Sequence, residues 1–556
     1  MTSLLDPGQA RLTAVETEEL TTYCRQLVAG DGCEMPGVLV ATAHGGTITY
    51  GAHGLADIER HIKITVDTRF EVGSIAKQIT AHVLSRILGG DDQLDRPISD
   101  FIPNAGFLAN LQLRKLADHR CAIRDYESVL ALAGLRSWDF MSQQDIVDLL
   151  LRHGPLPSVS SHYSNSHYLL LAEVVKRASG KSLGKVAKEI IFGPYQMKDS
   201  EFRIAPDQLV PDRAWSYYSS DTGQHWRLAD TADVTIGPHG LYSSAIDLMR
   251  WEYYLLSHPS LNTALQQASA DGGRAWCLGR TMRRCKGRWL SGHSGARFGF
   301  RSALWTDDSG ITVAVLANRP DIDAEGIADD ILDLSRRRAK AGFGSPEVCL
   351  TPAISGQAAH SRAAALNQPP DGWYWSLTSG AEWHARNDED GLVLSSAGRE
   401  IRFYPQDTGC WMTSEGSLRG DCTIDNQGNI RSIFVIRDAD ALLFELEYAG
   451  PGHEESNAHD ISDIENFVDD AWGIKIAWQT SGSIALIRTG RASHRLRQVA
   501  ADTWLGDGMR VQRTGSGLTI DMPRARAVAF ARQDALDAKP GDKKVEPATG
   551  PLKFRA

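Results

Sequence analysis

The sequence lacks the features that would tie it to a membrane or to secretion. No stretch approaches the roughly 18 consecutive apolar residues that a membrane-spanning helix needs. Residues 1–25 carry Asp6, Glu16, Glu18 and Glu19 among other polar residues and have no apolar core, unlike a secretory signal peptide. The sequence therefore predicts a cytoplasmic protein with no membrane partner.

Basic stripes and metal-binding patterns are also missing. The formal net charge is −10, and the densest basic run, Arg336-Arg337-Arg338, is typical of a helix C-terminus, so nucleic acid is not expected as a partner. The eight cysteines are scattered without a C-x-x-C pair, which predicts reduced thiols rather than a zinc site. Asp321-Ile322-Asp323 begins like a calcium loop, but Leu332 stands where that loop needs its last carboxylate. No metal and no other cofactor are expected.

The composition is that of a globular protein. Of the 556 residues, 42% are hydrophobic and 23% are charged. A chain of this length is too long for a single core, and its length predicts roughly three or four domains.

One stretch places a nucleophile and a base within a single helical turn. Apolar side chains recur at every fourth position from Ile75 to Ile87, which predicts a helix that begins near Ser74 and is stopped by Gly89-Gly90. Lys77 then lies on the same face as Ser74, where a lysine can take the proton of a serine hydroxyl. The alternative is that Ser74 only caps the helix and Lys77 is a solvated side chain.

A second stretch holds a tyrosine and an asparagine that share one side of a predicted tight loop. Tyr163 and Asn165 are two residues apart, just before a helix around Leu169. Tyr163 can pass a proton to a leaving group, and Asn165 can bind Lys77 and a substrate carbonyl. The alternative is that Ser164 or Asn165 simply caps the helix.

A third stretch places a histidine among small residues in a strand. His293-Ser294-Gly295 is followed by predicted strands at 301–305 and Ile311–Ala317, with a turn at Asp308-Ser309-Gly310 between them. A substrate backbone can lie along a strand edge of this kind. A structural role for His293 is the alternative.

Four arginines precede this third stretch. Any one of Arg280, Arg283, Arg284 and Arg288 could meet an acidic group of a substrate, although such clusters more often form a solvated face.

The strand and helix patterns predict an α+β architecture for the N-terminal part. Thr13–Val28 is predicted as an amphipathic helix, followed by strands at 37–43 and 47–51, and Ile322–Arg338 as another amphipathic helix. The two early strands and the three late ones can form one antiparallel sheet that these helices cover. A helical lobe is inserted between them, and Ser74 is expected at the cleft where lobe and sheet meet.

Together, the three stretches resemble the S-x-x-K, Y-x-N and H-x-G elements of the penicillin-recognising serine hydrolases, the serine β-lactamase-like superfamily. The resemblance covers about Gly37 to Arg338. It implies a β-lactamase/D-peptidase-like catalytic domain that works through an acyl-enzyme. The residues that match the motifs are the catalytic Ser74, Lys77, Tyr163 and His293 and the substrate-binding Asn165, Ser294 and Gly295.

Within this superfamily the chain looks most like the bacterial D-aminopeptidases, which carry two small antiparallel β-barrel domains after the catalytic domain. Short strands at barrel-like spacing follow a Gly-, Pro- and Ala-rich stretch. The resulting domain prediction is a catalytic domain at 1–341, a linker at 342–365, a first barrel at 366–450, a second barrel at 451–535 and a disordered tail at 536–556.

The resemblance implies a peptidase or amidohydrolase that acts on a small peptide or amide containing D-residues. D-aminopeptidases send a long loop from their third domain into the cleft, whereas the turns near 506–508 and 514–517 look short here. A more open cleft would extend the substrates to linear nonribosomal peptides. The alternatives are a β-lactamase, a D-Ala-D-Ala carboxypeptidase or an esterase, and a non-hydrolytic binding protein on the same fold. A homodimer is one candidate assembly.

Overall fold

The computed structural model divides the chain into two compact units. The first unit contains the described parts of 1–121, 137–151 and 164–354, and the second those of 122–136, 152–163 and 355–556. The described residues are 13–28, 35–44, 46–132, 141–151, 163–219, 226–256, 274–285, 287–341, 369–376, 382–388, 391–396, 399–405, 411–412, 418–424, 430–437, 441–450, 465–468, 475–481, 484–489, 492–506, 509–514, 517–522 and 525–532. The predicted linker at 342–365 and the predicted tail at 536–556 lie outside these residues.

The strands of the first unit form one large sheet and three small ones. They are β1 (Thr13–Glu16), β2 (Val38–His44), β3 (Thr47–His53), β4 (Leu55–Asp57), β5 (Ile62–Lys63), β6 (Phe70–Glu71), β7 (Glu201–Phe202), β8 (Tyr217–Ser219), β9 (Trp226–Leu228), β10 (Leu241–Ser243), β11 (Arg274–Cys277), β12 (Arg280–Cys285), β13 (Arg288–Arg297), β14 (Phe300–Asp307) and β15 (Thr312–Ala317). The large sheet has the order β1-β3-β2-β15-β14-β13-β12-β11, and a three-stranded sheet has the order β6-β10-β7.

The predicted joining of early and late strands is confirmed. β2 and β3 form a hairpin, and β15 pairs antiparallel with β2 from Thr312↔Ala43 to Ala317↔Val38. Every residue of β15 is buried because the strand lies in the middle of the sheet and helices pack against it. The hairpin of β11 and β12, which widens the sheet, was not predicted.

Two predictions about the N-terminal part were wrong. Thr13–Glu16 is a strand that pairs in parallel with Thr47–Tyr50, so the large sheet is mixed rather than purely antiparallel. The helix predicted from Thr13 begins instead at Glu18, and the Thr17 side-chain oxygen accepts the N–H of Leu20 at 3.4 Å, as in an N-cap. Pairing with a neighbouring strand decides the conformation of so short a segment, and local periodicity does not record that pairing.

The helices are α1 (Glu18–Val28), α2 (Ala76–Leu88), α3 (Leu113–Ala117), α4 (Tyr126–Leu132), α5 (Gln143–Leu151), α6 (Asn165–Ser179), α7 (Leu183–Ala187), α8 (Ala245–Leu255) and α9 (Ala324–Ala341). All but α4 lie in the first unit. α1 and α9 cover the large sheet, with Cys24 and Ile331 in the same buried core as Val313. None of the described helices is both long and apolar enough to cross a membrane.

The described strands of the second unit form two antiparallel sheets of eight strands each. In each sheet every strand pairs with the next, and the first strand also pairs with the last. The first sheet contains β16 (Gly372–Ser376), β17 (Glu382–Asn387), β18 (Leu392–Ser396), β19 (Arg399–Pro405), β20 (Trp411–Met412), β21 (Leu418–Ile424), β22 (Ile430–Arg437) and β23 (Ala441–Gly450). The second contains β24 (Glu465–Val468), β25 (Lys475–Ser481), β26 (Ile484–Thr489), β27 (Ala492–Ala500), β28 (Thr503–Gly506), β29 (Met509–Thr514), β30 (Gly517–Met522) and β31 (Ala525–Arg532).

Candidate active site

Ser74 and Lys77 lie at the start of α2, in the geometry that the i, i+3 spacing predicts. Ser74 is the middle residue of a short 3-10 turn, Gly73–Ile75, that leads directly into the helix. The Lys77 side chain is fully buried, and its Nζ lies 2.9 Å from Ser74 Oγ. Ser74 itself is only half-buried, whereas the Lys77 beside it is shielded from water.

Two further oxygens fix the Lys77 amine. Nζ donates to Asn165 Oδ1 at 2.8 Å and to the carbonyl oxygen of Pro238 at 3.1 Å. Asn165 is the first residue of α6, and Ser164 caps this helix by accepting the N–H of Ser166. Helix capping by Ser164 and contact of Asn165 with Lys77 therefore occur together and are not alternatives.

The partners of Lys77 suit an amine that exchanges a proton with Ser74. The oxygens of Asn165 and Pro238 only accept hydrogen bonds, whereas a hydroxyl can donate or accept. A neutral amine has two N–H groups for these two acceptors, and its lone pair then faces the Ser74 hydroxyl. An ammonium group donates to all three oxygens instead. The same contacts therefore hold Lys77 before and after it takes a proton.

Strand β13 packs against the backbone that carries Ser74. A β-carbon on Gly295 would lie 2.2 Å from the carbonyl oxygen of Val72, and one on Gly73 would lie 2.9 Å from the amide nitrogen of Ala296. Only glycine allows this close approach. The Ser302 hydroxyl, on the neighbouring strand, donates to the same Val72 oxygen at 2.8 Å and fixes the contact.

His293 lies on the face of β13 that is directed toward this contact. It stands two residues before Gly295, and alternate residues of a strand share a face. Its ring is buried, and Nδ1 lies 2.5 Å from the carbonyl oxygen of Ser294. Since a carbonyl oxygen only accepts, Nδ1 carries the proton, and in the neutral ring the lone pair lies on Nε2. His293 can therefore accept or return a proton through Nε2.

Among the described strands, β13 extends beyond its pairing with β12 beside this histidine. The β12–β13 ladder runs from Cys285↔Arg288 to Thr281↔Gly292, and β13 continues to Arg297 while pairing with β14. Ser294 is half-buried and Ala296 is exposed in this continuation. Main-chain groups at a strand edge bind an extended peptide by adding it as a further strand.

Tyr163 directly precedes the N-cap residue Ser164 and is partly buried. Its assignment as a proton relay stays a prediction. The structure brings the Ser74, Lys77 and Asn165 side chains together and packs the His293–Gly295 strand against the segment before Ser74.

For two of the four arginines, neither a substrate contact nor a solvated position, the two alternatives given above, describes the structure. Arg280 is buried and pairs with Glu252, its Nη1 lying 2.5 Å from Oε1. Arg283 is also buried and pairs with Asp329 at 2.6 Å. Buried arginines require such partners, and these two are held inside the unit.

Sequence reasoning missed the groups that act through the backbone. The Pro238 carbonyl belongs to the segment Gly237-Pro238-His239-Gly240, where both glycines have positive φ, at +119° and +86°. The Thr80 hydroxyl donates to the Gly237 carbonyl at 2.8 Å, which holds this segment against α2. A glycine at each end of a G-P-H-G run signals a tight turn. It does not signal that a carbonyl of the turn accepts a hydrogen bond from a lysine.

Comparisons with known proteins place these motifs in context. The family model described as Beta-lactamase matches residues 21–337. A D-aminopeptidase of Brucella ovis is 28% identical over 383 residues, which are 65% of this chain and 65% of that protein. A D-aminopeptidase of Cereibacter sphaeroides is 27% identical over 296 residues, 51% of this chain and 56% of that protein. The chain thus spans less than two thirds of the length of these relatives.

Among solved structures, a D-amino acid amidase from Ochrobactrum anthropi SV3 complexed with L-phenylalanine amide is similar to this chain. It has a TM-score of 0.49 and 21% sequence identity, over 57% of this chain and 98% of the amidase. A penicillin-binding protein from Bacillus halodurans has a TM-score of 0.47 and 20% identity, over 54% of this chain and 95% of that protein.

Proposed function

The chain belongs to the beta-lactamase family, and from this premise we propose that it is a serine hydrolase that cleaves amide bonds through an acyl-enzyme. The observation that carries the proposal is the position of Lys77 Nζ, 2.9 Å from the Ser74 hydroxyl oxygen in a buried setting. A serine hydroxyl is a weak nucleophile unless an adjacent base takes its proton. The buried amine is such a base.

The proposed reaction has two halves. Lys77 takes the Ser74 proton as Oγ attacks the carbonyl carbon, and the C–O bond forms. The C–N bond then breaks, and Tyr163, with His293, delivers a proton to the leaving amine. Lys77 passes the proton that it took to Tyr163, which restores both groups. Water then gives a proton to Lys77 as its oxygen attacks the ester carbonyl, and Lys77 delivers that proton to Ser74 Oγ as the C–O bond breaks and the acid leaves. With Nδ1 directed to the Ser294 carbonyl, Nε2 is the nitrogen through which His293 would first accept a proton and then deliver it.

Two backbone N–H groups are proposed to stabilise the oxyanion. One belongs to Ser74 and the other to the strand segment Ser294–Ala296. The close contact between Gly73 and the Ala296 amide supports this pairing, because it keeps the two segments in register. In other enzymes the loss of one such donor lowers kcat by about 10²–10³-fold.

The proposed substrates are peptides or amides that contain D-residues, with a D-aminopeptidase-like activity. The similarity to D-aminopeptidases of 27–28% identity supports this choice. The substrate backbone would extend along β13 beside His293, with Ser294 and Gly295 as main-chain partners and Asn165 near the carbonyl. If the cleft is open, linear nonribosomal peptides are included. The other candidate activities on this fold are those of a β-lactamase, a D-Ala-D-Ala carboxypeptidase or an esterase.

The domain proposal keeps the catalytic domain at 1–341 and two closed β-barrel domains at 366–450 and 451–535. The pairing of the first with the last strand in each eight-stranded sheet supports closure. A cytoplasmic location and a homodimeric assembly complete the proposal.

The test is a substrate screen with a nucleophile variant. Matched D- and L-aminoacyl p-nitroanilides, nitrocefin and short esters are offered to the native chain, to Ser74→Ala and to Ser219→Ala, an exposed control serine on β8. We expect hydrolysis of the D-aminoacyl anilides by the native chain and by Ser219→Ala only. A slowly released acyl probe should appear on Ser74 by mass spectrometry. Full activity of Ser74→Ala would reject the serine mechanism, and a probe bound reversibly but never covalently would favour a binding protein.

A further inference from the structure

Glu71 is a buried carboxylate that the reaction described above does not use. It lies on β6, three residues before Ser74, with 4% of its surface exposed. A carboxylate is rarely buried without partners, because loss of its hydration is costly. Its partners therefore indicate why it is present.

Both carboxylate oxygens accept backbone N–H groups of glycines. Oε2 lies 3.2 Å from the Gly73 nitrogen, and Oε1 lies 2.8 Å from the Gly240 nitrogen. These glycines have φ of +54° and +86°, in the left-handed region, so each marks a sharp change of chain direction. One side chain thus ties two turns together.

Each of these turns carries a part of the nucleophile–base pair. Gly73 is the residue before Ser74. Gly240 is two residues after Pro238, whose carbonyl accepts a hydrogen bond from Lys77. The backbone N–H of Val72 also donates to the Leu241 carbonyl at 3.0 Å, so the two segments run together at this point. Glu71 links the two segments through its hydrogen bonds to Gly73 and Gly240.

We propose that Glu71 is a positioning residue that, as a carboxylate, fixes the Ser74 hydroxyl relative to the Lys77 amine by holding the Gly73 and Gly240 turns together. This inference rests on the proposed serine mechanism. Its hydrogen bonds go to the backbone N–H groups of Gly73 and Gly240, so in this proposal it acts through these turns.

The charge of the side chain matters for this role. An ionised carboxylate accepts both N–H groups, whereas an amide has one oxygen that accepts and one NH2 group that only donates. The donating group would face an N–H, and one of the two turns would be released. Protonation of Glu71 weakens the same two contacts, because the neutral carboxyl is a weaker acceptor than the ionised carboxylate.

The surroundings set the pH at which this charge is lost. Burial raises the pKa of Glu71, opposed by Arg297 on β13, by His239 in the Gly237–Gly240 turn and by the two N–H donors. Tyr242 on β10 faces it as well. Arg297 is itself paired with Asp233 at 2.9 Å, and this pair reduces the stabilisation that Arg297 gives to the ionised Glu71 carboxylate. Below its raised pKa the carboxyl is neutral, so activity should fall at a higher pH than an ordinary glutamate would give.

The test compares three variants with the native chain. They are Glu71→Gln, Glu71→Asp and the matched control Glu201→Gln. Glu201 lies on β7, pairs with the same strand β10, and binds Arg69 at 2.9 Å instead of the active-site turns. The readouts are kcat and KM for the best D-aminoacyl anilide from pH 4.5 to 9, and the rate at which an acyl probe labels Ser74.

We expect Glu71→Gln to lose about 10- to 100-fold in kcat and in labelling rate, as a misplacement of order 1 Å does, with KM nearly unchanged. Its kcat profile should lose the fall at low pH that protonation of Glu71 causes, whereas a fall caused by protonation of Lys77 stays. Glu71→Asp keeps the charge and should recover part of kcat together with an acid limb. Glu201→Gln should match the native chain.

Other outcomes would contradict either the positioning role of Glu71 or the serine mechanism, and the two cases can be told apart. Native kcat and a native acid limb in Glu71→Gln would overturn the positioning role. If circular dichroism shows that Glu71→Gln does not fold, Glu71→Asp decides instead. The positioning role would be overturned if Glu71→Asp has the kcat of the native chain and the native chain itself shows no acid limb. A native chain that hydrolyses nothing and is never labelled on Ser74 would instead reject the serine mechanism itself.

Discussion

A β-carbon on Gly279 would lie 2.5 Å from the carbonyl oxygen of Lys77. Gly279 is in the turn of the β11–β12 hairpin and has φ of +77°, and Leu278 before it has φ of +47°. Positive φ at two successive residues is typical of a type I′ hairpin turn. This turn therefore rests on the backbone of the residue whose amine is proposed as the base, and it limits how far α2 can move.

We expect Gly279→Ala to lower kcat/KM by about 10²-fold, because the methyl group must push either the hairpin or the Lys77 backbone away. The matched control is Gly287→Ala. Gly287 is also in a hairpin turn, with φ of +73°, but nothing lies within 4 Å of its β-carbon position. The control has the same backbone strain without the clash. Equal kinetics of the two variants would show that contact with Lys77 is irrelevant.

The Asn165 contact leads to a prediction about pH. Asn165→Asp puts a carboxylate 2.8 Å from Lys77 Nζ and stabilises the ammonium form. Because the reaction needs the neutral amine, the acid limb of kcat/KM should move to higher pH, and activity at pH 7 should fall at least tenfold. Asn165→Ala removes the oxygen without adding charge, so its acid limb should not move upward. A profile of Asn165→Asp that overlays the native one would contradict the proposed base.

The parts of the site that the sequence predicted are those in which the side chain itself does the chemistry. Ser74 and Lys77 are three residues apart on a helix, so their contact is local and follows from the helical period. Pro238, by contrast, acts through its backbone carbonyl, and Glu71 acts through the backbone N–H groups of two other residues. Gly279 matters because it has no side chain. No residue type signals such a role, and each depends on segments that meet only in the folded chain.

The same reasoning explains the errors in the fold. The strands β2, β3 and β13–β15 were predictable because buried strands alternate or run apolar between turn residues. β1 was mistaken for helix because four residues carry little periodicity and take their conformation from a partner strand. Arg280 was expected either to meet a substrate or to be solvated, because a sequence does not show the pair with Glu252 that allows it to be buried.

This buried pair gives a prediction about stability. Arg280 binds Glu252 through both terminal nitrogens, at 2.5 and 2.9 Å, and also contacts Gln78 Oε1 at 2.6 Å. Arg280→Leu leaves the Glu252 carboxylate buried without its cation, which should cost about 3–5 kcal/mol and lower Tm by several degrees. Because Gln78 follows Lys77 on α2, kcat should fall too.

The control for this change is Arg288→Leu, which removes the half-exposed arginine at the start of β13, paired with Asp308 in the turn after β14. Exposed pairs contribute about 0–1 kcal/mol, so its Tm should stay close to native. Differential scanning fluorimetry of the three chains compares the effects. A native Tm for Arg280→Leu would mean that the ion pair contributes nothing to folding.

Asp118 gives the last prediction, which concerns stability and pH. Its carboxyl is 7% exposed, and burial raises its pKa from 3.8 to about 6, against the lowering effect of the Leu278 N–H and of Arg114. The folded chain then holds this proton more tightly than the unfolded chain between pH 3.8 and 6. Stability from this group is therefore present below pH 3.8 and is lost as pH rises through 6. The shift corresponds to about 3 kcal/mol.

Asp118→Asn keeps an oxygen for the Leu278 N–H, 3.4 Å away, and carries no charge at any pH. We expect it to be more stable than the native chain at pH 7.5, with the difference shrinking to nothing near pH 4. Thermal melts at pH 4, 5, 6 and 7.5 measure how the stability difference between Asp118→Asn and the native chain changes with pH. A constant cost of the new amide group would not alter that pH dependence. Glu189→Gln, an exposed carboxylate paired with Lys181, is the control and should run parallel to the native chain. Parallel curves for Asp118→Asn would mean that this carboxyl titrates alike in the folded and unfolded chains, because only a difference in proton binding between the two states makes stability depend on pH.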